Sequence, residues 1–287
     1  MTMHPFSPLA LLNALAACGG TEPRCVAYGE APRHRVDIYA PKQARGKMTS
    51  IVFFYGGGWE SGDKALYGFV GHALAALGYL VFIPNYRVYP QVRFPAFVED
   101  GARAVAFARH HAGAYGGDPA RIVLMGHSAG AHIAALLALD ARWLSALGLA
   151  PDRDLLGMVG LAGPYDFLPL HSATLQEIFR PAAALAETQP ITFANSDAPP
   201  FFLATTSQDS VVAPGNSHRL AQAIREKGGS ATVKVYRRLG HRSLIGVLAS
   251  PLRWVAPVLR DIVAFIDTLP QQGNAKPCRA MAWDSSI

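Results

Sequence analysis

The stretch Ile122 to Asp140, IVLMGHSAGAHIAALLALD, narrows the folds open to this chain more than any other. It begins with four apolar residues, enough for a buried strand. From Ala129 it continues as an almost wholly apolar run, too long for a second strand. The pattern predicts a strand, a sharp turn at Ser128 and a buried helix. A strand and helix that are both fully apolar need cover on every side, which places them at the centre of an α/β sheet.

The turn is Gly126, His127, Ser128, Ala129 and Gly130, the pattern GxSxG. A serine hydroxyl is a poor nucleophile at neutral pH, so it must stand clear of the backbone where a base and an acyl carbon can both reach it. A strained strand-to-helix turn achieves this, and glycines on either side let strand and helix pass closely. By chance, a chain this long shows one GxSxG match with a probability on the order of 0.1. The surrounding sequence must supply the rest.

Strands are predicted at Val26 to Tyr28, Arg35 to Tyr39, Ser50 to Tyr55, Tyr79 to Ile83, Ile122 to Met125, Gly157 to Leu161, Pro200 to Thr206 and Thr232 to Tyr236. The first two read as an antiparallel hairpin at one edge. Helical spacing joins Val70, Ala73, Leu74 and Leu77, with Gly78 as terminator, and Pro95 opens a helix carrying Val98, Ala102, Val105 and Ala106. Further helices are expected at Leu220 to Ile224 and Leu259 to Ile266. Strands separated by helices from residue 50 onward predict an α/β fold with a mostly parallel sheet of about eight strands and helices on both faces. From Gly163 to Pro199 no period is visible, and this stretch reads as a small lid over the strand ends. No linker or repeat divides the 287 residues, so one domain spanning 1–287 is expected, with a flexible polar tail over 270–287.

If Ser128 is the nucleophile, a base and an orienting acid must follow, each just past a late strand, in the order Ser, acid, His. Asp209 follows the strand ending at Thr206, and His241 follows the strand ending at Tyr236. Asp166 is the fallback acid. The oxyanion of acyl transfer needs fixed donors, each typically contributing about 3 kcal/mol. The amide of Ala129 is one, and Gly56, Gly57 and Gly58, at the end of a predicted strand, offer others, with Gly57 and Gly58 preferred. Trp59, His127 and Phe167 are candidates to line a small apolar acyl pocket. His127 has an equally good reading as packing, and His132, one turn past Ser128, reads as a satisfied helix residue.

Several classes are set aside. The net charge of +6 is scattered with no basic run, which argues against nucleic acid as a partner. No apolar run is long enough to span a membrane. No HExxH or similar spacing supports a metal, and no cofactor is called for. Cys18, Cys25 and Cys278 form neither a disulfide framework nor a zinc pattern, so reduced thiols in the cytoplasm are expected. Leu15 to Gly19 resembles a lipid-attachment box, which leaves a periplasmic lipoprotein anchored at Cys18 as the alternative. No Lys or Arg precedes it and Pro8 interrupts it, so a short helix over Pro8 to Ala16 is expected instead. Nothing in the sequence fixes an oligomeric state.

Together GGGW after a strand, NYRVYPQVRFPAFVED, GHSAG, the Asp209 turn and LGH resemble the α/β-hydrolase fold, in its esterase and lipase branch with an HGGGW oxyanion motif. The similarity runs from about Val36 to Leu269. It implies a Ser128, Asp209 and His241 triad, an oxyanion hole of Gly57, Gly58 and Ala129, and hydrolysis of a small-molecule ester. GHSAGAH is also similar to arylformamidases and small carboxylesterases, so an aryl formamidase or amidase with the same triad is the alternative. One departure stands out: Tyr55 occupies the position that is normally His, which also admits a catalytically weak hydrolase fold used for binding.

Overall fold

The computed structural model describes residues 13, 22–42, 47–180 and 182–270. The expected helix over Pro8 to Ala16, the Cys18 box and the polar tail lie almost wholly outside these residues. In chain order the elements begin with β1 (Arg24–Ala27), β2 (Arg35–Tyr39), β3 (Met48–Phe54), α1 (Gly68–Ala75), β4 (Leu80–Pro84) and α2 (Ala96–His111). Then come β5 (Gly117–His127), α3 (Ala129–Leu139), α4 (Arg142–Ser145), α5 (Pro151–Asp154), β6 (Gly157–Leu161) and α6 (Ala173–Phe179). The chain continues through β7 (Phe201–Thr206), α7 (Gly215–Glu226), β8 (Ala231–Tyr236), α8 (His241–Gly246) and α9 (Val258–Thr268).

The eight strands form one sheet in the order β1-β2-β4-β3-β5-β6-β7-β8. The β1–β2 and β2–β4 pairs are antiparallel, and every pair from β4 to β8 is parallel. All residues of β3, β4, β6 and β7 are buried. Successive side chains of a strand point to opposite faces, so full burial means that both faces of these strands are covered. Edge strand β8 mixes buried and exposed positions instead.

Strand crossovers place the parallel carboxyl ends on one rim. The rim receives the turn after β3, the Ser128 turn after β5, the Asp209 turn after β7 and the His241 turn after β8. Helix α3, buried along its whole length, lies behind the serine turn.

Some boundaries differ from the sequence reading. Helix α1 stops at Ala75, and Leu77 is 48% exposed in a tight turn closed by Leu77 N to Leu74 O and Gly78 N to Ala75 O, both 3.0 Å. Pro95 stands one position before the first residue of α2. The stretch 163–199 contains α6 and two short 3-10 turns, Leu185–Thr188 and Pro190–Phe193.

Candidate active site

Ser128 sits between β5 and α3 with φ 54° and ψ −125°. This is a region that non-glycine residues rarely adopt and that only a tightly determined surrounding sustains. Its amide donates to Leu161 O at 2.9 Å, tying the turn to β6. The two flanking glycines are there for close approach. A Cβ on Gly130 would lie 2.1 Å from Phe54 O, and one on Gly126 would lie 2.3 Å from Gly130 O. The start of α3 is thus wedged against the end of β3.

Ser128 Oγ is 2.9 Å from His241 Nε2, and His241 Nδ1 is 2.9 Å from Asp209 Oδ2. The other oxygen, Asp209 Oδ1, accepts from Val211 N at 2.9 Å and Val212 N at 2.8 Å. The carboxylate is clamped by main chain on one side and left one acceptor for the imidazole. His241 is the first residue of α8, whose start is fixed by Gly240 N donating to Ser243 Oγ at 2.8 Å. Asp166 is engaged elsewhere, in an ion pair with Arg219. It takes no part in this chain of contacts.

After β3 the chain turns through Gly57, Gly58 and Trp59 with φ of 152°, 62° and 60°. Positive φ at Gly57 suits glycine, and a Cβ there would fall 2.1 Å from Ser61 O. Ser61 N and Glu60 N close the loop onto Gly57 O at 3.0 and 3.2 Å. The amides of Gly57, Gly58 and Ala129 donate to no acceptor among the described residues. Gly56, one residue earlier, lies against Ser128: a Cβ on it would be 2.9 Å from Ser128 Cβ. Unpaired amides, one of them at a helix start, are the kind of donor that can hold a developing negative charge.

Tyr55 is fully buried beneath this loop, stacked between Tyr86 (4.7 Å, 22°) and Tyr67 (5.5 Å, 17°). Its hydroxyl donates to Asn85 Oδ1 at 2.8 Å and accepts from Arg33 Nη2 at 2.8 Å. Arg33 also donates to Gly62 O and Tyr86 O, each at 2.8 Å. Asn85 Oδ1 further accepts from Lys64 N at 2.7 Å, and Asn85 Nδ2 donates to Asp63 Oδ2 at 2.9 Å. Tyr86 OH donates to Tyr55 O at 2.7 Å. Both ends of the loop are therefore anchored, by a phenol and a guanidinium. Burial is the main cause that pushes the Tyr55 phenol well above its ordinary range, so it stays protonated.

His127 is buried under the His241 turn. Its Nε2 is 3.1 Å from His241 O and its Nδ1 has no hydrogen-bond partner. The two rings lie 4.9 Å apart. Burial, then the nearby His241, push its pKa down to about 3, so it is neutral with Nε2–H donating. Of its two sequence readings, packing is the one this geometry matches, since the ring supports the main chain of residue 241. Trp59 is also buried, within an aromatic group of Phe97, His132, Phe167 and Phe179. Phe167 is the partly exposed member, stacked on Trp59 at 5.7 Å. Sequence reasoning gave no role to Arg33, Asn85 or Asp63, although Asn85 opens the stretch NYRVYPQVRFPAFVED. Among the described residues no three His, Cys, Asp or Glu side chains gather as a metal site would need. No described helix is long and apolar enough to cross a membrane.

An eight-stranded, mostly parallel sheet with a serine turn after the central strand is the α/β-hydrolase fold, as solved structures of that kind confirm. Thermogutta terrifontis esterase 2 phosphoramylated by tabun superposes with a TM-score of 0.72 at 20% identity, covering 88% of this chain and 97% of that one. Its butyrate-bound form gives 0.70 at 21%. Within that fold, the BD-FAE family model matches residues 36–224, and the chain belongs to this family. Among curated relatives, a probable isoprenylcysteine alpha-carbonyl methylesterase of Oryza sativa subsp. japonica is 32% identical over 251 residues, 80% of this chain and 59% of that protein. An isoprenylcysteine alpha-carbonyl methylesterase of Arabidopsis thaliana is 31% identical over 275 residues, 88% and 64%. Esterase LipC of Mycobacterium tuberculosis is 30% identical over 220 residues, 70% and 55%. The chain thus spans between 55% and 64% of the length of these relatives.

Proposed function

We propose that the protein is a serine carboxylesterase that cleaves small carboxylic esters through an acyl-enzyme on Ser128. The observation that carries this reading is the unbroken Ser128–His241–Asp209 chain, with two contacts of 2.9 Å. Neutral His241 takes the Ser128 proton through Nε2 as the oxygen attacks the ester carbonyl. The oxyanion is held by the amides of Gly57, Gly58 and Ala129. His241 returns the proton to the departing alcohol, water then repeats the sequence on the acyl-enzyme, and the carboxylic acid leaves. Asp209 keeps the proton of the resting imidazole on Nδ1 and stabilises the cation formed in each half-reaction.

The names of the relatives, esterases and methylesterases, favour an ester over an aryl formamide. Residues 163–199 act as a partial lid, with Phe167 and Trp59 at its inner side. A panel of nitrophenyl esters of increasing chain length, run beside an aryl formamide, tests the reading. Ester hydrolysis with covalent labelling of Ser128 by an organophosphonate supports it. Formamide turnover exceeding every ester overturns the substrate class, and an unlabelled serine overturns the mechanism.

A further inference from the structure

Trp59 departs from the usual loop residue in a specific way. It has φ 60°, carries a large side chain, and directly follows Gly57 and Gly58, whose amides have no hydrogen-bond acceptor among the described residues. Such a conformation persists only where the surroundings hold it. Its main chain is held by Tyr89 N donating to Trp59 O at 2.8 Å. Its side chain is held by one polar contact: Trp59 Nε1 donates to His132 Nδ1 at 3.3 Å. The His132 ring meets the indole edge-on, with centroids 5.0 Å apart and an interplanar angle of 85°.

His132 is completely buried, and it spends its other nitrogen on the stretch 163–199: Nε2 is 2.7 Å from Thr188 O. With an N–H as one neighbour and a carbonyl as the other, only the neutral tautomer protonated at Nε2 satisfies both. The surroundings agree. From its own helix it faces the Ser128 turn, its amide donating to Ser128 O at 3.2 Å; from the loop it faces Trp59, and from 163–199 it faces Phe167, Phe179 and Thr188. None of these is charged, and burial pushes the imidazole down to about 4. The backbone tie continues inside the covering stretch, where Gln189 Nε2 donates to Thr188 Oγ1 at 2.8 Å and Phe167 N donates to Gln189 Oε1 at 2.7 Å.

We infer that His132 is a positioning residue for the oxyanion loop, fixing the Trp59 indole, and with it the Gly57–Gly58 amides, to the nucleophile helix and to the 163–199 cover. This deepens the esterase reading and rests on it. A single buried imidazole thereby couples loop, helix and cover, so that the cradle is set when the cover is seated. Its contribution is to the transition state, where the oxyanion exists, and the ground-state ester is bound without it.

The test compares three variants on a short nitrophenyl ester, with active sites counted by organophosphonate titration. In His132→Leu both bonds are lost. We expect kcat per titrated site to fall about 30-fold with KM within about twofold, less than the loss of a whole oxyanion donor. In His132→Gln an amide oxygen and an amide N–H replace acceptor and donor, and kcat should stay within about threefold of the parent. Trp59→Phe removes the indole N–H together with the fused five-membered ring while leaving His132 in place, and it should show the same kind of kcat loss even if His132→Leu does not fold. Unchanged kcat in Trp59→Phe, or an equal loss in the Leu and Gln variants, overturns the inference. Parent protein that hydrolyses no ester and takes up no phosphonate overturns the esterase reading itself, which separates the two failures.

Discussion

The two sides of the candidate site are held together by different means. On one side, Ser128, His241 and Asp209 hang from the ends of β5, β8 and β7, and each is joined to the next by a single hydrogen bond. On the other side, the loop after β3 is gripped through its own Tyr55, Trp59 and Asp63 by Arg33, Asn85, Tyr86 and His132, which come from separate parts of the chain. Ser128, His241 and Asp209 need few partners because strand ends already place them. A loop with unpaired amides has no ladder to hold it, so side chains do the holding.

Breaking the reacting side should have the largest effects. Ser128→Ala should lower kcat by roughly four to six orders of magnitude with the thermal transition unchanged, as measured by initial rates and a melting curve. Asp209→Asn should follow at about 10⁴-fold in kcat. The main-chain donors at residues 211 and 212 would hold the amide oxygen and turn its NH2 toward His241 Nδ1, favouring the wrong tautomer.

Changes on the gripped side should be smaller and should register in stability as well. Tyr55→Phe leaves Asn85 Oδ1 with its bond from Lys64 N and Arg33 with its carbonyl partners. A cost of about 1 to 2 kcal/mol in unfolding free energy is expected, with about a tenfold fall in kcat. Chemical denaturation and rates on the same preparation check both. If activity collapses while stability holds, the phenol has a direct part in the cradle and the contrast between the two sides fails.

A further effect concerns pH and is read in stability. Burial lowers the folded-state pKa of His127 from 6.5 to about 3 and that of His132 from 6.5 to about 4. The unfolded chain binds these protons first, so their share of stability is whole above the unfolded value and is lost as pH falls, down to about 3 for His127 and about 4 for His132. Each should remove about 2 kcal/mol between pH 7 and pH 5. Urea unfolding at the two pH values should show this, and His132→Gln should flatten the dependence by one such share.

The same contrast explains what the sequence made legible. The eight strands, the serine turn and the late positions of Asp209 and His241 follow from apolar runs and chain order, both of which are local signals. The grip on the loop is not local: Arg33 reaches Tyr55 and Gly62, and Asn85 reaches Lys64. No spacing rule joins such residues, because the sheet order β2-β4-β3 brings them together. Helices α4 and α5 have four residues each, too few to show a period. Helix α6 hides among aromatics that pack as a cluster around Trp59. Leu77 misled because it continued a helical spacing past Ala75, where the helix already ends in the turn that leads to Gly78 at φ 95°.

The wedge at Gly126 and Gly130 bears on how the substrate range of such a protein can change over generations. With 2.3 Å and 2.1 Å left for any added carbon, neither position admits even alanine without moving the main chain of β3 or α3. Mutational drift is closed there. The partly exposed Phe167 is free of that limit, since a changed side chain there leaves the wedge untouched.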